Sequence, residues 1–164
     1  MSKSQSFSNY PRQLSASQNQ DKSPFLLRED HYAVHGRQPG SPSAGALFTL
    51  KGGEIAVHRG DPAAAEGKEQ QVGPVYALPE GPLAVPTGLL FVRFKEGTAA
   101  AEHREEIERS GYEIVQIPGY APNAAWVRPR NGDIATSLRG MRALESLPGV
   151  ENVEPQMLMA NAKR

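Results

Sequence analysis

Between residues 89 and 155, short β-rich runs and helical runs follow one another as strand, helix, strand, strand, helix, strand, an order few architectures accept. LLFVRFK (residues 89–95) opens the series. Thr98 is placed to cap a helix through AAAEHREEIERS, and Gly111 stands where a left-handed helix stop is wanted. YEIVQI (112–117) and AAWVR (124–128) read as two further strands, joined by PGYAPN, whose two prolines, glycine and asparagine favour a turn. Asp133 is placed to cap a second helix; Ile134, Leu138, Met141, Leu144 and Leu147 fall on one stripe of it, and Pro148-Gly149 end it. VENVEP supplies a fourth strand through Val150 and Val153. Two right-handed crossovers place both helices on the same side of one sheet. The order predicts a ferredoxin-like α+β domain over residues 85–164, an antiparallel βαββαβ sheet with two helices on one face and the other face uncovered.

The preceding chain has a different texture. Residues 1–22 hold too few apolar side chains to offset the entropy of ordering, and GRQPGSPSAG after the mixed patch PFLLREDHYAVH has linker composition. Residues 1–45 therefore read as a disordered arm and linker. ALFTL, KGG and EIAVHR give two short strands around a Gly-Gly hairpin signal. VGPVYALPEGPLAVPTG carries its apolar residues between four prolines, which suits an edge strand and excludes a central one. Residues 46–84 accordingly read as a small β-hairpin appendage.

Composition narrows the function. With 18 basic and 18 acidic residues the formal charge is zero, so neither nucleic acid nor an anionic membrane is an expected partner. The absence of cysteine excludes a thiol nucleophile, an iron–sulfur cluster and a cysteine zinc site. No apolar run approaches the roughly 20 residues of a membrane span, and the N-terminus lacks a signal-peptide core. As written the chain is expected in the cytoplasm, and to be secreted only if exported with a partner or as part of a precursor.

Catalytic groupings are thin. His31 and His35 would share a metal only on a helix, which Gly36 and the prolines after it oppose, and no acidic third ligand accompanies them. His58 ends a hairpin strand, and His103 lies in the first helix beside Glu102, Arg104, Glu105 and Glu106, where charge alternation indicates a solvated, ion-paired face. GSPSAG misses the spacing and context of a nucleophile elbow, and KGGE is too short for a phosphate loop. The sequence points to a chain that is not an enzyme and uses no metal or other cofactor. Trp126, the only tryptophan, reads either as a sheet-core aromatic or as an anchor on the uncovered face.

VPTGLLFVRFKEG, YAPNAAWVR and VENVEPQMLMA resemble the N-terminal pro-region of subtilisin-like serine peptidases (subtilases), over residues 85–164. Nothing resembles that family's catalytic domain. The resemblance implies an inhibitor or folding chaperone, acting in cis or in trans. It would dock its open sheet face on the peptidase and lay its C-terminal tail in the substrate cleft. Carried onto this chain, it puts the caps of two peptidase helices at Glu154 and Gln156, the second without charge, and the cleft tail at Met157, Leu158, Met159, Ala160, Asn161 and Ala162. Met159 would be the apolar anchor, and either Ala162 or Arg164 the residue at the junction. Tyr112 and Trp126 would anchor the sheet face. The alternative is a ferredoxin-like regulatory or assembly module unrelated to proteases.

Overall fold

A computed structural model describes residues 7–14, 24–40, 45–61, 71–79 and 81–159. The strands are β1 (Gln13–Leu14), β2 (Phe25–His35), β3 (Phe48–Leu50), β4 (Ile55–Arg59), β5 (Gln71–Ala77), β6 (Leu83–Phe94), β7 (Tyr112–Gln116), β8 (Ala124–Pro129) and β9 (Val150–Met159). The helices are α1 (Arg104–Arg109), α2 (Ile134–Arg139) and α3 (Met141–Glu145), with single 3₁₀ turns at Lys51–Gly53 and Ala100–His103. Strand pairing runs β3-β4-β2-β5-β6-β8-β7, with β1 added to β2 and β9 to β6.

This overturns the expected fold. In place of a two-helix ferredoxin-like domain behind a small hairpin and a disordered arm, the described residues form a largely antiparallel system of nine strands with three short helices. Two compact units divide it: Met1–Gln13, Pro24–Pro86 and Met157–Arg164 in the first, Leu14–Ser23 and Thr87–Gln156 in the second. Strands β1, β6 and β9 each contribute residues to both.

In the first unit, Ala33, Leu50, Ile55, Val57, Val75 and Val85 form a buried cluster, with Phe48, Leu83 and Leu158 packed against it. Strand β2, which the sequence reading assigned to arm and linker, pairs with both β4 and β5. Its charged middle hid it: Arg28, Glu29 and Asp30 fall beside the register shift between Arg28 and Ala33, where period-2 alternation breaks. Pro74 lies at the same irregularity, between Gly73 and Val75 of β5. A residue with no N–H is tolerated there, so β5 occupies an interior place between β2 and β6 despite its proline. Residues 7–13 belong to this unit too. Phe7 is buried and meets Tyr10 edge-on at 5.5 Å, and the hydroxyl of the fully buried Tyr76 donates to the Pro11 carbonyl at 2.7 Å. Residues 1–6, also expected in the arm, lie outside the described residues.

In the second unit, Leu90 and Val92 of β6 stand opposite Val127 and Ala125 of β8, and Ile114 of β7 opposite Val127. These, with Phe94, make the covered face. Helix α2 closes on it where β6 has no side chain: Gly88 adopts φ +97°, a Cβ there would stand 3.5 Å from Ile134 Cγ1, and Ser137 Oγ donates to the Gly88 carbonyl at 2.6 Å. The two expected helices are each broken. The first begins as a 3₁₀ turn with no side-chain cap from Thr98 before becoming α1. The second stops at Gly140, where the Tyr112 ring occupies the space a side chain would need. Asp133 does cap α2, accepting from the Thr136 N–H at 3.0 Å and its hydroxyl at 2.9 Å. Asp133→Ala should cost about 1 kcal/mol of stability, read as a lower denaturant midpoint with an unchanged slope.

Candidate functional site

The face of the second unit opposite the helices carries the side chains that alternate with the buried set: Phe91 and Arg93 on β6, Trp126 and Arg128 on β8, Glu113 on β7. Phe91 and Trp126 are directly opposed, and their rings lie 4.8 Å apart at a tilt of 57°, each half-buried. Such a pair gains about 0.5–1.5 kcal/mol beyond area burial and holds both rings in one orientation. Arg128 Nε donates to Glu113 at 2.8 Å, so charge borders the aromatic pair in a matched couple. The residue that shifts register in β7, Val115, is 46% exposed beside them.

Trp126 thus has its ring on the helix-free face, against Phe91, a residue the sequence reading did not single out. Tyr112 does not join it. It is 2% exposed on the opposite face, its hydroxyl donating to the Ser137 carbonyl at 2.7 Å, and burial pushes its pKa up to about 12 against the opposing pull of that bond. Period 2 explains the difference: Tyr112 stands opposite Pro129 and Trp126 opposite Gln116, an odd number of positions apart along β8.

The expected helix-capping pair is half-buried and already engaged. Glu154 Oε2 accepts from Asn152 Nδ2 at 2.7 Å, and Gln156 Oε1 accepts from the Thr87 hydroxyl at 2.8 Å. Of the expected tail, Met157, Leu158 and Met159 are the last residues of β9, and Leu158 packs on the core of the first unit. A segment held as a strand with one partly buried side chain packed on a core gives up those contacts to lie in a cleft. Met159 is 39% exposed, while Ala160, Asn161, Ala162 and Arg164 lie outside the described residues.

The histidines are dispersed. His31 and His35 both lie in β2, where four residues span about 13 Å, too far to share one metal ion. His31 is bonded to Asp30 at 2.8 Å; this contact holds the Asp30 carboxyl below its ordinary range. His58 stacks on Tyr32 at 5.1 Å. His103 stacks on Phe94 at 4.1 Å, with Nδ1 2.6 Å from Glu106, while Glu105 pairs with Arg109 along the exposed helix face. Among the described residues, no three His, Asp or Glu side chains gather as a metal would require, and no helix is long and apolar enough to cross a membrane. No protein-family model, curated protein or solved structure matches the chain.

Proposed function

We propose that this chain is a non-catalytic binding protein that engages a subtilisin-like serine peptidase, as inhibitor or folding assistant, through the helix-free face of its second unit. The observation that carries the reading is the half-buried Phe91–Trp126 pair, flanked by the Arg128–Glu113 couple. Aromatic residues at the centre of a patch with paired charge at its rim have the composition of an interface hot spot. The likeness of residues 85–164 to subtilase pro-regions supplies the class of partner. The position of Leu158 alters the mechanism: binding rests on the face, and any occlusion of the cleft falls to residues beyond Met159.

The test is titration of the intact chain, Trp126→Ala and a chain ending at Met159 against purified subtilisin-like peptidases, following both affinity and peptidase activity. Trp126→Ala should weaken binding by about 30-fold or more, the scale of a hot-spot aromatic. The shortened chain should still bind but inhibit less. Absence of binding by the intact chain to every peptidase tried would remove the reading. A regulatory or assembly module without a peptidase partner is favoured by the packing of Leu158, which leaves less of the tail free. Concentration-dependent dimerisation abolished by Trp126→Ala, with no peptidase binding, would select it.

A further inference from the structure

Of the six asparagines in the chain, only Asn131 is followed by glycine. An asparagine is lost without any enzyme when the backbone nitrogen of the next residue attacks its side-chain carboxamide carbon: a five-membered succinimide closes and ammonia leaves. Water then opens the ring at either carbonyl, giving aspartate or, with the main chain rerouted through the side chain, isoaspartate. Glycine has no Cβ to obstruct the attack. Asn131 and Gly132 are both exposed in the connection between β8 and α2, Gly132 at φ +70°, and a Cβ built there would meet nothing within 4 Å. No neighbour crowds the pair from outside.

What restrains it is the bonding of the connection itself. The Gly132 N–H, the attacking group, donates to the Pro129 carbonyl at 3.0 Å and closes a β-turn. The Asn131 carboxamide is held at both ends: Oδ1 accepts from the Asp133 N–H at 2.9 Å, and Nδ2 donates to the Thr136 hydroxyl at 3.4 Å, the longest bond of the set. That hydroxyl in turn donates to Asp133 Oδ2, the same oxygen that caps α2 by accepting from the Thr136 N–H. Nucleophile and electrophile are fixed by separate partners, so ring closure requires the turn bond to break and the carboxamide to swing off Asp133. Every one of these bonds lies on the surface in a single short connection, and local opening well short of global unfolding releases them together. The product also harms the lock. An aspartate at 131 has no Nδ2 to give Thr136, whose one hydroxyl proton is already committed to Asp133, and its new charge stands beside the capping carboxylate. An isoaspartate lengthens the main chain by one methylene just before Asp133 and displaces the cap from the helix that closes on Gly88.

We propose that Asn131–Gly132 is a latent deamidation site locked by the α2 cap, so that isoaspartate forms in chains whose β8–α2 connection has opened and then weakens the same connection. The test incubates the full chain in mildly alkaline buffer, folded and in concentrated urea. Loss of ammonia at Asn131 is followed by peptide mass mapping, and isoaspartate is counted by enzymatic carboxyl methylation. The chain in urea should react about tenfold faster than the folded chain, or more, as expected of a bonded turn that reacts only when open. Thr136 is exposed, so Thr136→Val should stay folded, which a melting curve checks; it should react about fivefold faster than the parent when folded and equally fast in urea. Asp133→Ala should act in the same direction. Chains carrying isoaspartate at 131, separated by ion exchange, should show a lower denaturant midpoint than the parent. No reaction in urea would overturn the site, and equal rates for the folded and unfolded parent would overturn its protection. An unchanged folded rate in both variants would overturn the cap as the lock, and an unchanged midpoint would overturn the weakening of α2.

Discussion

Tyr76→Ala should lower the unfolding free energy of the first unit by about 3–5 kcal/mol, the scale of deleting a fully buried aromatic ring. Tyr76 is inaccessible to solvent, burial pushes its hydroxyl pKa well upward, and that hydroxyl holds the Pro11 carbonyl at 2.7 Å. Deletion removes ring packing from the sheet and strands an acceptor on residues 7–14. Tyr76→Phe separates the two effects: it keeps the ring and should cost only about 1 kcal/mol for the lost bond. Chemical denaturation followed by far-ultraviolet circular dichroism gives the total. Fluorescence of Trp126 reports on the second unit alone, so the two probes should diverge in Tyr76→Ala if the units unfold as separate cooperative blocks. A loss under 1 kcal/mol in Tyr76→Ala would mean that the Tyr76 ring is not buried as described.

Acidification from pH 7 to pH 4 should destabilise the first unit through His35. Burial first, and then the nearby Lys51 charge, lower its pKa from 6.5 to about 4, and its Nε2 is buried with no hydrogen-bond partner among the described residues. Below pH 6.5 the unfolded chain takes up a proton that the folded chain refuses until about pH 4. The contribution is therefore complete above 6.5 and lost progressively between 6.5 and 4, by at most about 3 kcal/mol. The depressed carboxyl of Asp30 adds a loss only lower, as pH falls through and below its ordinary 3.8. His35→Gln, which cannot charge, should flatten the stability curve between pH 6.5 and 4 while leaving the acid limb. An unchanged slope in that variant would assign the effect to another histidine.

What the sequence disclosed was local. Asp133 at a helix start, Gly111 with its left-handed φ of +94°, and the turn-forming PGYAPN act within a few residues of themselves, and their chemistry was readable as such. Apart from the uncapped 3₁₀ start of the first helix, the differences come from long-range contacts. Strand β2 looked like linker because its central charges interrupt alternation, and only pairing with β4 and β5 gives that segment its form. The second helix divides at Gly140, where Tyr112, 28 positions earlier, leaves no room for a side chain. Of the candidate site, Trp126 could be placed on a strand but not on a side of it, since that depends on which neighbours supply helices. Phe91 alternates with Leu90 and Val92 in LLFVRFK, but only the register sets it opposite Trp126. The fate of Leu158 was the least legible, because its packing partners lie more than seventy residues upstream.

Leu158 also bears on how the chain matures. Translation delivers the strands of the first unit early, yet one of the side chains packed on its core is synthesised only after the entire second unit. Domains that fold as they emerge do so from the N-terminus onward. Here the earlier-made unit has its apolar cluster short of one neighbour until the later-made one has been synthesised, and no contiguous stretch cut from within the gene would encode the first unit without the second.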